Sequence, residues 1–246
     1  MRPLKSPSVT WISANDPPDA FPDVNRAFSV PEGLLAAGGD LSTARLLYAY
    51  SHGIFPWYSD GQPILWWSPD PRCVIRPAEL HISRRTRRAL SSSEFRITFN
   101  TAFEKVVDGC AMDRPGQDGT WITEEMRTAY CALNQAGWAH AVEVWRGETL
   151  VGGLYGLAIG KVFFGESMFS IETNGSKAAI LALCHIIERA GFSLLDGQVE
   201  SPHLLTLGAI LMERTEFTSI LDSACHPGEK FSNWPSKRLN IAEFLA

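Results

Sequence analysis

Ala139-His140-Ala141-Val142-Glu143-Val144-Trp145, residues 149–159, and Val162-Phe163-Phe164-Gly165-Glu166-Ser167-Met168-Phe169-Ser170 form the stretch on which the fold turns. Each segment is strand-like in composition, and the links Arg146-Gly147-Glu148 and Gly160-Lys161 suit hairpins, so the three predict an antiparallel meander. Residues 176–190 then change to helical periodicity and stop at Gly191, after which residues 192–198 return as a strand. This order predicts an α+β domain built on a mostly antiparallel mixed sheet with flanking helices.

Upstream, residues 122–136 predict a helix with Thr123 as N-cap, Glu124 and Glu125 in the first turn and Gly137 at its end. Residues 81–90 predict another, which places Arg84, Arg87 and Arg88 on one face, with Arg85 beside them. Between Pro56 and Pro71 four prolines interrupt any hydrogen-bond ladder, so this segment cannot be a regular central strand. It marks a domain junction near residue 70, with a small N-terminal domain over 1–70 and a larger domain over 71–246. Within the first, Ser42 caps a short helix stopped by Gly53, and residues 1–30 read as an irregular arm or short strand.

The 246 residues are 45% hydrophobic and 20% charged, which places the chain in the ordinary globular class. No apolar run is long enough to span a bilayer and the N-terminus lacks a signal-peptide pattern, so a cytoplasmic protein without a membrane is expected. Five cysteines, widely spaced and without a paired Cys-x-x-Cys or neighbouring histidines, predict reduced structural thiols and no metal. A net charge of −5 argues against general nucleic-acid binding, yet Arg72, Arg76, Arg84, Arg85, Arg87 and Arg88 make a basic island against Glu79 alone. That island is either a solvated helix face or a phosphate contact.

Meander, helix, strand and helix follow the order of an acyltransferase domain of the N-acetyltransferase type, an analogy that constrains function loosely. A coenzyme A enzyme of that kind needs a glycine-rich pyrophosphate loop at a helix N-terminus; here Ile171-Glu172-Thr173-Asn174-Gly175-Ser176-Lys177 supplies an acidic side chain instead. Asp196 and Gln198, two apart on a strand, point to one face and form either a structural hydrogen-bonded pair or a proton-handling pair. Glu166 is either a buried ion-pair member or a specificity group. Ser167 is a neighbouring hydrogen-bonding group rather than a nucleophile, because no second glycine completes a nucleophile elbow. Leu154, Phe163 and Met168 read as core or as the wall of an apolar pocket, with Leu195 facing away from Asp196. Trp57 and Trp121 sit in a turn and at a helix start, where packing explains an indole less readily. Trp66 and Trp67 read as inter-domain packing, and His203 as a structural hydrogen-bond partner.

Glu32-Gly33-Leu34-Leu35-Ala36-Ala37-Gly38-Gly39-Asp40-Leu41-Ser42, Gly53-Ile54-Phe55-Pro56-Trp57-Tyr58, Ile64-Leu65-Trp66-Trp67-Ser68-Pro69-Asp70-Pro71-Arg72, Gly165-Glu166-Ser167-Met168-Phe169-Ser170 and Leu195-Asp196-Gly197-Gln198 occur in that order. Together they closely resemble the bacterial leucyl/phenylalanyl-tRNA–protein transferases over roughly residues 31 to 220. The resemblance implies transfer of Leu, Phe and Met from aminoacyl-tRNA to proteins beginning with Arg or Lys, creating an N-degron, by a monomer that needs no cofactor. It implies that Asp196 orients Gln198, whose carbonyl draws a proton from the attacking amine. It also implies that Glu166 contacts the acceptor or the terminal adenosine, that Trp57 and Trp121 border the aminoacyl-adenosine, and that Arg84, Arg85, Arg87 and Arg88 hold tRNA. Gly175, Ala141 and Thr206 depart from the family pattern, where Ala, Ser and Ser are usual. The competing readings are an acyl-CoA-dependent N-acetyltransferase and a non-catalytic tRNA-binding module.

Overall fold

The computed structural model describes residues 9–112, 122–226 and 228–245. Its first sheet holds β1 (Thr10–Ile12), β2 (Leu34–Gly38), β3 (Phe55–Pro56) and β4 (Leu65–Trp67) in the order β1-β2-β4-β3. Helix α1 (Thr43–Ser51) lies between β2 and β3 in the chain, and the Ser42 hydroxyl accepts from the Arg45 N–H as expected of a cap. Pro56 lies on the edge strand, where a missing N–H is harmless. Between Pro63 and Pro69, however, β4 fits as a three-residue interior strand, which the proline spacing did not anticipate.

The second sheet takes β5 (Arg72–Ile75), β6 (Arg96–Phe99), β7 (Ala139–Arg146), β8 (Thr149–Ile159), β9 (Val162–Ser170), β10 (Leu194–Gln198), β11 (Ile210–Met212) and β12 (Leu239–Asn240) in the order β11-β5-β10-β9-β8-β7-β6-β12. All of its pairings are antiparallel except β9 with β10. The predicted meander is β7, β8 and β9. Around the sheet lie α2 (Arg84–Ser91), α3 (Phe103–Ala111), α4 (Glu124–Gln135), α5 (Gly175–Arg189), α6 (Pro202–Thr206) and α7 (Arg214–Ala224). Helix α2 begins three residues later than the spacing predicts, because Ser83 caps it and accepts from the Thr86 N–H.

Each face of the large sheet packs its own apolar cluster. One joins Val142, Val144, Leu154 and Phe163 to the buried face of α5. The other joins Tyr155, Leu157 and Phe164 to α3 and α4 and runs without a break into Leu35, Trp66 and Leu46 of the first sheet and α1. Trp66 is buried there, donating its indole N–H to the Gly38 carbonyl at 2.8 Å, whereas Trp67 is half-buried and donates to the Trp57 carbonyl at 2.6 Å. Trp67 thus supports the Trp57 turn while also packing against the cluster that holds Trp66. Among the described residues no helix is long and apolar enough to cross a membrane.

Candidate active site

Two irregularities meet where β9 and β10 part. The parallel pairing of these strands ends at Phe164 opposite Asp196. One residue further on, Gly156 faces Gly165 and Tyr155 faces Ser167, so Glu166 is the extra residue of a bulge in β9. Gly156 is required opposite it, since a Cβ there would come within 2.1 Å of the Phe164 carbonyl oxygen. On β10, Asp196 pairs with Val74 and Gln198 with Cys73, which makes Gly197 a second bulge residue. Gln198 is left with φ 63, a left-handed conformation uncommon for a residue with a side chain.

The two bulges turn Glu166 and Gln198 toward each other. Gln198 Nε2 donates to Glu166 Oε1 at 2.9 Å across the fork. Tyr50, from the last turn of α1, donates to the same oxygen at 2.7 Å, and Tyr130, from α4, donates to Oε2 at 2.8 Å. The two tyrosine hydroxyls also touch one another. Burial pushes the Glu166 carboxyl up to about 7, against the lowering effect of the tyrosine hydrogen bonds. The Tyr50 and Tyr130 phenols are pushed well above their ordinary range, first by burial and then by Glu166, so both stay protonated. Tyr155, buried beside Tyr130 at 5.5 Å between ring centroids, has a hydroxyl without a hydrogen-bond partner among the described residues.

Asp196 does not touch the Gln198 amide group. Its carboxylate takes two hydrogen bonds from Arg72, Nε to Oδ1 at 2.9 Å and Nη2 to Oδ2 at 2.8 Å, in a fully buried pair. Asp196 Oδ1 also accepts the Gln198 backbone N–H at 2.8 Å. Asp196 therefore fixes the strained backbone of Gln198 and not the electronics of its side chain. The Gly197 bulge interrupts strict period-two alternation between the two residues, yet both remain beside Glu166, Gln198 by a direct hydrogen bond and Asp196 by its charge. Arg72 shares a face of β5 with Val74, lies between the Phe55 and Phe217 rings at 4.7 and 4.8 Å, and donates to the Gly53 carbonyl. It is thus removed from the basic island.

A cavity of about 90 Å³ adjoins the fork, lined by Leu154, Phe163, Met168 and Leu195 and by the polar residues Glu166, Ser167 and Asp196. The three apolar residues named from the sequence as pocket walls, Leu154, Phe163 and Met168, do converge, and Leu195, which strand alternation sets apart from them, joins them through its pairing with Phe163. Trp57 is 40% exposed and lies 5.7 Å from the Trp67 ring. Trp121 lies outside the described residues. Arg84, Arg85 and Arg88 project from α2 into solvent, while Arg87 donates to the Leu245 carbonyl at 2.6 Å. His203 Nε2 is buried without the hydrogen-bond partner expected of it, among the described residues.

Tyr50, Tyr130 and Arg72 as a carboxylate partner were not legible in the sequence. Tyr50 reads as one more apolar residue of a short helix, and its partner is 116 positions away. Among the described residues no three His, Cys, Asp or Glu side chains are placed to hold a metal ion.

The family model described as leucyl/phenylalanyl-tRNA protein transferase matches residues 74–222, and that of the family's N-terminal domain matches residues 39–70. A leucyl/phenylalanyl-tRNA–protein transferase of Xanthomonas euvesicatoria pv. vesicatoria is 56% identical over 88% of this chain and 86% of its own length. One of Alcanivorax borkumensis is 48% identical over 97% of this chain and 98% of its own. Among solved structures, a GCN5-related N-acetyltransferase-like protein of Streptococcus suis aligns over 70% of this chain and 66% of its own at 12% identity, with a TM-score of 0.33, too low to argue from.

Proposed function

The chain belongs to the leucyl/phenylalanyl-tRNA–protein transferase family, and we propose that it moves Leu, Phe and Met from aminoacyl-tRNA to the N-terminal α-amine of proteins that begin with Arg or Lys. It is an aminoacyltransferase, with aminoacyl-tRNA and a protein as its two substrates. The observation that carries the finer reading is the Gln198–Glu166 hydrogen bond, in which Glu166 is itself a lining residue of an apolar cavity. It joins the amide of Gln198 to a carboxyl group that lines a hydrophobic pocket.

In this reading the cavity walls of Leu154, Phe163, Met168 and Leu195 take the leucyl or phenylalanyl side chain, with Ser167 at the rim. Glu166 meets the basic side chain of the acceptor, since a buried carboxylate is stabilised by a hydrogen-bonded cation. Because Gln198 Nε2 is committed to Glu166, its carbonyl Oε1 faces the other way and accepts an N–H of the acceptor amine. That amine attacks the ester carbonyl carbon, the new C–N bond forms as the C–O3′ bond breaks, and the amine proton ends on the departing 3′ hydroxyl. Positioning supplies most of the acceleration, as the ester is already activated. Asp196, held by Arg72, keeps Gln198 in place through its backbone. Trp57 and Trp121 border the terminal adenosine, and Arg84, Arg85, Arg87 and Arg88 hold the acceptor arm through its phosphates. Residues 1–70 and 71–246 are the two domains of a cytoplasmic monomer, and the product bears an N-degron.

The test is incubation with radiolabelled leucyl-tRNA and two peptides identical except for N-terminal Arg or Ala, without ribosomes. Label on the Arg peptide alone is the expected result; equal labelling of both removes the acceptor assignment. Gln198→Ala is expected to lower turnover with tRNA affinity intact, and parallel loss of both overturns its role.

A further inference from the structure

The contacts around Glu166 can be counted in protons. Glu166 Oε1, the Tyr50 hydroxyl and the Tyr130 hydroxyl, closing through Glu166 Oε2, form a triangle with three hydrogen-bond edges. Each edge needs one proton. The two phenols bring one each, and burial keeps them from ionising. With Glu166 ionised there are two protons for three edges, and the Tyr50–Tyr130 contact is left as two facing lone pairs. With Glu166 protonated the count closes once the Tyr130 contact, which Tyr130 donates to an ionised carboxylate, is reversed: Oε2–H donates to Tyr130, Tyr130 to Tyr50, and Tyr50 to Oε1, which also accepts from Gln198 Nε2.

The surroundings lean the same way. The groups facing Glu166 are Tyr50 on α1, Tyr130 on α4, Tyr155 on β8, and Asp196 and Gln198 on β10, with Arg72 of β5 behind Asp196. Arg72 is the one cation among them, and both of its carboxylate-facing nitrogens are taken by Asp196. Nothing in this set offers Glu166 a positive partner.

We propose that on the acid side of neutrality Glu166 is a neutral carboxylic acid in the free protein, closed in a ring with Tyr50 and Tyr130, and that docking of a cationic acceptor expels its proton to solvent. This rests on the reading above that Glu166 meets the acceptor's basic side chain. The ring opens in the exchange: Tyr50 and Tyr130 then both donate to the carboxylate, their mutual contact is lost, and the cation replaces the proton. Acceptor recognition is thereby coupled to proton release, and an uncharged N-terminal residue, unable to replace the proton, finds a closed ring.

The experiment is titration calorimetry of the full chain with a peptide whose N-terminal residue is replaced by 4-guanidinobutanoate. This probe keeps the guanidinium but has no titrating α-amine. Heats measured in two buffers of different ionisation enthalpy give the protons exchanged. Close to one proton released at pH 6, none at pH 8.5, and an affinity about tenfold higher at pH 8.5 are expected, as the carboxyl titrates near 7. In Glu166→Gln, whose amide can donate and accept as the neutral acid does, proton release is expected to vanish and affinity to become independent of pH. Wild-type binding at pH 6 without proton release overturns the inference while leaving the acceptor reading in place. Release that persists in Glu166→Gln overturns it as well. Failure of the probe to bind at either pH removes the acceptor reading itself, and the inference with it.

Discussion

Glu166 is a strand residue whose chemistry is set by burial. Its carboxyl titrates near 7 in the folded chain against an ordinary 4.5, so between those values the folded state holds a proton that the unfolded state has released. Stability contributed by this group is fully present below about pH 4.5, falls as the pH rises, and is lost above about 7. Glu166→Gln removes the titration while keeping the shape of the neutral acid. The variant is expected to match wild type near pH 4.5 and to exceed it by up to about 3 kcal/mol at pH 8, read from urea unfolding at the two pH values. A constant difference across that range contradicts the buried, protonated Glu166. The sequence showed that a Glu stood among apolar residues, which is why its burial was legible in outline. The two tyrosines were not legible, because nothing in a local pattern says which residue 36 or 116 positions away shares a carboxylate.

At the scale of elements, the strands and helices followed from pattern, and the irregularities did not. The meander, α4 and α5 lie within two residues of where periodicity and capping put them. The bulges at Glu166 and Gly197 escaped because a bulge changes side-chain direction without a fixed sequence mark. Helix α2 is the element whose predicted role is most open to direct test. Arg84, Arg85 and Arg88 are exposed and make no ion pair among the described residues, so each is available to a phosphate. Replacing these three with Ala is expected to lower the slope of log affinity for tRNA against log salt by roughly 2. An unchanged slope excludes α2 from the tRNA contact.

The whole molecule has two sheets but a shared interior. The apolar cluster that covers one face of the large sheet continues into Leu35, Leu46 and Trp66, and the buried Arg72 joins Gly53 and Phe55 of the first sheet's region to Asp196 and Phe217 beyond residue 70. Unfolding in urea is therefore expected to be a single transition, with tryptophan fluorescence and far-ultraviolet circular dichroism coincident. Separate midpoints contradict a continuous core. By itself the sequence determined the α+β class, the order of elements, the family, and a short set of polar residues with chemical reach, because periodicity, caps, turns and motif spacing act over a few neighbouring positions. Only the tertiary structure decided that Asp196 holds Gln198 by its backbone, that Arg72 is buried as its partner, and that Tyr50 and Tyr130 close on Glu166. Those outcomes depend on where two strands part and on which distant side chains must satisfy a buried charge, and no short-range pattern carries that information.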